Sequence, residues 1–187
     1  MDAIQRNWKQ IFVSPLPDSV HLLGIFYFTI MAKEIILTQG KIAIVDDEMF
    51  EYLNQWKWCL ISGRYAATNM KINSKYKSIY LHRFIMNAPK NMQVDHIDNN
   101  KLNNIKSNLR LCNHTENMIN RPTRSNSKSG YKGVIFYKRL NKYMAKINVN
   151  KKQLYLGLYI DPIHAARAYN AAALKYHGEF AHINKID

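Results

Sequence analysis

The 187-residue sequence predicts an α+β chain in two parts joined by a short linker, the second a small three-stranded antiparallel sheet plus one helix. Three observations predict it. Short β-branched runs broken by Gly, Asn and Ser turns fill residues 33–81. Residues 121–129 (RPTRSNSKS) are polar and basic and contain Pro122, the composition of an exposed linker rather than a packed element. Beyond them, three strand-like runs precede one alanine-rich helix.

Taken in order, residues 1–30 show no clear period and contain Pro15 and Pro17, and the patterned segment begins directly after Met31. Met31 is therefore a candidate start, with 1–30 an extension. Strands are expected at 34–37 and 41–45, on either side of a Gln39-Gly40 turn. A helix is expected at 47–55, with Asp46 as N-cap and Met49, Phe50 and Leu53 on one face. Further strands fall near 56–61, 64–69 and 77–81, followed by a short helix at 82–86 before the Ala88-Pro89 turn. A helix opens near Asn113, where Asn113 and Glu116 have capping-box spacing. In the last third, strands at 133–137, 143–149 and 153–159 form one sheet. The final helix takes Asp161 as N-cap and Pro162 as its first residue, where the missing N–H costs nothing, and Gly178 ends it.

The formal charge is +14 and the pI is near 9.8, so the chain attracts polyanions. The charge is uneven. Residues 124–187 carry twelve Lys/Arg against three Asp/Glu, leaving fifteen against ten for the rest. Cys59 and Cys112 are far apart and form no Cys-x-x-Cys pair, which argues against structural zinc and fits a reduced, cytoplasmic setting. The apolar run at 20–31 (VHLLGIFYFTIM) is too short to span a bilayer and has no cleavage site of the signal-peptide kind.

Residues 94–120 (VDHIDNNKLNNIKSNLRLCNHTENMIN) are dense in His, Asp and Asn. Phosphodiester hydrolysis needs a base to deprotonate water and a hard cation to offset charge on the phosphate and the departing 3′ oxygen. His96 supplies an imidazole that titrates near neutrality, and Asp95 an anionic oxygen suited to Mg²⁺ or Mn²⁺. Neighbours on a strand face opposite ways, so both can flank one phosphate only at a strand end or bulge.

With its Asp-His, Asn-Leu-Arg and final helical Asn, this segment resembles the HNH, or ββα-metal, nucleases, in particular the phage and intron-encoded homing endonuclease branch. The resemblance implies a ββα-metal nuclease domain over 31–120. It makes His96 the general base, Asn108 the residue whose amide oxygen orients the imidazole, and Asp95 and Asn117 the ligands of a single divalent cation, Mg²⁺ or Mn²⁺ and not zinc. Leu81-His82-Arg83 also resembles that branch. There Arg83 grips phosphate and His82 is either structural or a substrate contact. Arg110 is either a nucleotide contact or a brace for the hairpin, and is counted here with the DNA-binding set. Cys112 reads as a small core residue.

The C-terminal part carries Lys132, Tyr137, Lys138, Lys142, Tyr143, Lys146 and Lys152, basic residues interleaved with aromatics as in a DNA-binding surface. Residues 129–184 resemble the plant APETALA or ethylene-response-factor DNA-binding domain, through SGYKGV, YMAKI and the stretch from YLGLY to AHIN. The resemblance implies a sheet that enters the major groove with a helix behind it, over 130–187. The plant domains read bases through arginines and tryptophans on the sheet, whereas this chain has Ile135, Phe136, Tyr137 and Tyr143, so their base preference does not transfer.

The leading expectation is a monomeric, metal-dependent endonuclease that acts on double-stranded DNA, with no membrane partner and no small-molecule cofactor. A non-catalytic DNA-binding regulator with a relic nuclease fold is the alternative. A cationic membrane-surface protein rests on the 20–31 run alone.

Overall fold

A computed structural model describes residues 32–123 and 127–186. The expectations for residues 1–30 and for the 20–31 run lie outside them. Strand β1 (Ala32–Ile36) pairs antiparallel with β2 (Ile42–Asp46). Gly40 takes φ 69° in the turn between them, a left-handed conformation that glycine adopts without a Cβ penalty. Helix α1 (Asp47–Leu53) follows Asp46, but the predicted side-chain cap is not formed. The Asp46 carboxylate instead accepts the Lys106 backbone N–H at 2.7 Å, tying β2 to a loop 60 residues on.

Strands β3 (Cys59–Ile61), β4 (Tyr65–Ile72) and β5 (Lys75–Tyr80) form a meander that runs directly into α2 (Leu81–Ile85). Apolar residues of β1, β2 and β4, with Leu37 and Trp58 beside the strands, meet α1 and α2 in one core of Ile35, Leu37, Ala43, Val45, Leu53, Trp58, Ala66 and Leu81. Each fully buried large side chain there stabilises the fold by about 1.5–3 kcal/mol. The Trp58 indole N–H donates to the Leu53 carbonyl at 2.8 Å, so the end of α1 is satisfied inside the core.

Strand β6 (Gln93–His96) pairs with β7 (Leu109–Cys112) from Gln93↔Cys112 to His96↔Leu109. Residues 97–108 connect them and close with a 3₁₀ turn (Lys106–Asn108). Helix α3 (His114–Ile119) follows at once, started by the expected capping box: Asn113 accepts from the Glu116 N–H and Glu116 from the Asn113 N–H. Strand β2 holds the connecting loop by its free edge. Ile44 donates to Leu102 O at 2.8 Å and accepts from Asn104 N at 2.7 Å.

In the last third, β8 (Val134–Tyr137), β9 (Lys142–Val149) and β10 (Lys152–Tyr159) form an antiparallel sheet with β9 central, backed by α4 (Pro162–His177). Asp161 caps α4 by accepting the Ile163 N–H at 2.8 Å, and Gly178 ends it. Ala165, Ala166, Ala172 and Ala173 are buried against the strands, where small side chains permit a close approach. Gly133, at φ 74°, lies so near the Tyr169 ring that a Cβ would fall 1.9 Å from it. The described residues form a mixed α/β structure of four small antiparallel sheets. None of their helices is long and apolar enough to cross a membrane.

Candidate functional site

Alternation along β6 sends Gln93 and Asp95 toward α3, and Val94 and His96 to the opposite side. On the α3 side, Asn117 Nδ2 donates to Gln93 Oε1 at 2.7 Å. The residue that reaches Asp95 is Asn120, the C-cap of α3. Its Nδ2 donates to Asp95 Oδ2 at 2.9 Å, to His96 O at 3.0 Å and to Ile97 O at 3.3 Å. Arg110, directly opposite Asp95 in the strand register, adds Nε and Nη2 to the same Oδ2 at 3.1 and 2.8 Å. Three donors converge on one oxygen of a carboxylate that is only 1% exposed, and none of them reaches Oδ1.

On the other side, the His96 ring lies 5.2 Å from that of His82 and 6.3 Å from that of Tyr65. Its Nε2 is 3.3 Å from Asn104 Oδ1, and Asn104 Nδ2 is committed to Leu102 O. The amide is thereby fixed with its oxygen toward the ring, so Nε2 carries the proton and donates. The lone pair falls on Nδ1, which is buried and has no hydrogen-bond partner. Burial, then the charge of Lys101, lowers the His96 pKa to about 4, so the imidazole is neutral at pH 7. His82 is lowered further, to about 3, first by burial and then by His96 and Arg83.

This geometry corrects the expected role of Asn108. Asn108 Oδ1 accepts the Asp98 N–H at 3.0 Å, and its Nδ2 donates to Asp98 Oδ1 and to Asn103 O, both at 2.9 Å. Asn108 thus fixes the 97–108 loop, while Asn104 meets the imidazole. Burial raises the Asp98 pKa, but the amides of Asn103 and Asn108 and the Asn100 N–H outweigh it and hold the carboxyl below its ordinary value. Lys101, which the sequence reading did not single out, is half-buried within the fields of Asp95 and Asp98. Its pKa is lowered, chiefly by burial.

Other expected DNA contacts are engaged within the protein. The Arg83 guanidinium donates to Met92 O, Ala88 O and Pro89 O, bracing the turn that leads into β6. Arg110 is a brace as well. Besides Asp95 it holds the Glu179 carbonyl, and its guanidinium lies 4.2 Å from the centre of the Phe180 ring. The Lys132 ammonium donates to Ile119 O and, at 2.6 Å, to Arg121 O, and burial lowers its pKa to about 8. Tyr143 pairs with Phe136 in register and packs on the α4 side of its sheet, not on the open face. That open face presents Ile135, Tyr137, Lys142, Met144, Lys146 and Tyr155. Lys138 and Lys152 are exposed at its ends. Burial raises the Cys112 thiol to about 11, so it stays protonated within the core.

Asp95 and His96 thus lie at the end of the first strand of a hairpin that is followed by a helix. The model of the HNH endonuclease family matches residues 80–119, the span from the end of β5 to α3. An HNH endonuclease of Acanthamoeba polyphaga mimivirus is 33% identical over 172 residues, covering 88% of this chain and 83% of that one. The chain belongs to the HNH endonuclease family. APETALA2-like protein 2 of rice, in both the indica and japonica subspecies, is 45% identical over 56 residues, 30% of this chain and 13% of the rice protein. No solved structure matches the chain.

Proposed function

We propose that this HNH endonuclease hydrolyses phosphodiester bonds in duplex DNA with one divalent cation, in a homing-type role, and that residues 130–187 hold the DNA for a nuclease part at 31–120. The observation that carries the reading is the fixed orientation of the His96 imidazole. Asn104 pins its Nε2–H, and its Nδ1 lone pair has no partner. A general base needs a free lone pair in a fixed ring. In this reading Nδ1 takes the proton of the attacking water.

HNH nucleases generally depend on a metal, and the residues here suit a hard cation. Asp95 contributes a carboxylate whose Oδ1 none of the three converging donors occupies, and Asn117 an amide oxygen from the neighbouring helix. No cluster of three or more His, Cys, Asp or Glu forms a metal site among the described residues. Mg²⁺ and Mn²⁺ tolerate few protein ligands because they keep several waters. Asp95 and Asn117 are the proposed ligands. Bound there, the cation supplies charge stabilisation for the phosphate and the departing 3′ oxygen.

The resemblance of residues 129–184 to the plant DNA-binding domain supports a DNA-holding role for the C-terminal sheet. The purified protein is expected to cut supercoiled DNA with Mg²⁺ or Mn²⁺. His96→Ala is expected to lower cleavage by roughly 10²–10⁴-fold while DNA binding persists. Undiminished cutting by that variant would refute the base assignment. DNA binding without any cleavage by the unaltered chain would favour the regulator reading.

A further inference from the structure

Both groups that hold Asp95 are themselves held from behind by the C-terminal part of the chain. Arg110, which gives two N–H groups to Asp95 Oδ2, has its third nitrogen on the Glu179 carbonyl and its guanidinium plane on Phe180. Its side chain is only 11% exposed, so it has little freedom to adopt another pose. Asn120, the other donor to Oδ2, lies at the end of α3, and the backbone there is gripped on either side of it. The Lys132 ammonium binds Ile119 O and Arg121 O. A cation on the last carbonyls of a helix is also favoured by the helix dipole.

Lys132 is not a loose surface lysine that happens to reach across. Its backbone N–H donates to Asn184 Oδ1 at 2.7 Å, and its carbonyl accepts from Asn184 Nδ2 at 3.0 Å. Asn184 is buried and is joined in turn to Asn170 of α4 by two further bonds. A continuous path of bonded groups therefore runs from α4 through Asn184 and Lys132 to Asn120. A second path runs from the Gly178–Phe180 3₁₀ turn through Arg110. The two paths meet on one oxygen.

We propose that the C-terminal part is a structural component of the nuclease site, with Phe180 and Lys132 acting as positioning residues that aim the Asp95 carboxylate. This rests on Asp95 being the metal ligand of the proposed function. Groups that hydrogen-bond a metal-ligating carboxylate orient it, and their loss typically costs about 10–100-fold in metal affinity or activity. A simple tether predicts otherwise, since loosening it weakens DNA affinity and leaves the metal untouched.

The test uses the full chain and two variants, Phe180→Ala and Lys132→Met, the second keeping an apolar stem while removing the donors. Mn²⁺ binding is measured without DNA from the loss of the free-ion paramagnetic signal, and cleavage at saturating DNA is followed against Mn²⁺ concentration. Each variant is expected to need about tenfold more Mn²⁺ in both assays. Unchanged Mn²⁺ requirements, with only the KM for DNA raised, would overturn the proposal. Amide exchange at residues 95–97 provides a metal-free reading and is expected to accelerate in both variants. If the unaltered chain binds no Mn²⁺, the metal assignment fails. Unchanged exchange would then overturn the positioning role independently.

Discussion

At the scale of single residues, the site turns on which asparagine does what. Residues 97–108 hold five asparagines, and the amides of Asn103, Asn104 and Asn108 divide the work by geometry. Asn104 is 0% exposed, faces the imidazole, and is held by its own bond to Leu102 O. Asn108 and Asn103 both spend their amide groups on Asp98. Asn104→Ala removes the acceptor that selects the Nε2–H tautomer and leaves the ring free to turn. It is expected to lower kcat by roughly 10–100-fold with little change in KM for DNA. Asn108→Ala acts first on the loop, so its larger effect is expected on melting temperature. Steady-state kinetics and thermal melts of the two variants separate the roles. Equal kcat losses with equal destabilisation would show that both merely support the loop.

At the scale of elements, local chemistry was a good guide because most signals were local. The Asn113/Glu116 capping box, the Asp161-Pro162 start of α4 and its stop at Gly178 each depend on residues within four positions, and each forms as expected. The β-branched runs mark the strands to within a few residues. Asp46 shows where this ends, because its partner is the Lys106 N–H, and nothing near residue 46 announces a loop 60 positions later. Arg83, Arg110 and Lys132 show the same limit: their carbonyl and carboxylate partners are supplied by folding. Tyr143 was legible and was misassigned, since it shares parity with Ala145 and Ile147, which face α4. Gly133 is a case in which an element depends on one missing atom. Gly133→Ala places a Cβ within the Tyr169 ring and imposes a left-handed φ on alanine. The rigid aromatic, buried at 3% exposure, has little room to yield. A loss of about 2–4 kcal/mol is expected from the overpacking and strain together, measured by denaturant unfolding. A loss under about 0.5 kcal/mol, the scale of an ordinary surface substitution, would mean that the β8–α4 contact is looser than the structure shows.

At the scale of the whole molecule, the excess of positive charge is divided between internal and external duties. Arg83, Arg110 and Lys132 are engaged by carbonyls and Asp95, so of the cations expected on DNA, Lys138, Lys142, Lys146 and Lys152 are the ones that meet solvent. Lys146 is only partly committed, at 3.2 Å from Gln153 Oε1. Each phosphate neutralised on duplex DNA contributes about −0.9 to the slope of log affinity against log salt. Replacing these four lysines with glutamine is therefore expected to flatten the slope by about 3–4. Lys132→Met, whose ammonium is already bound by α3, is expected to change it by well under one. Fluorescence anisotropy of a labelled duplex over a salt series measures both. The contrast matters because charge alone makes the five lysines equivalent, whereas the structure separates four that meet solvent from one that joins the two parts of the chain. A slope flattened equally by Lys132→Met and by any single member of the four would place Lys132 on DNA, and would mean that its contact with the end of α3 opens when DNA binds.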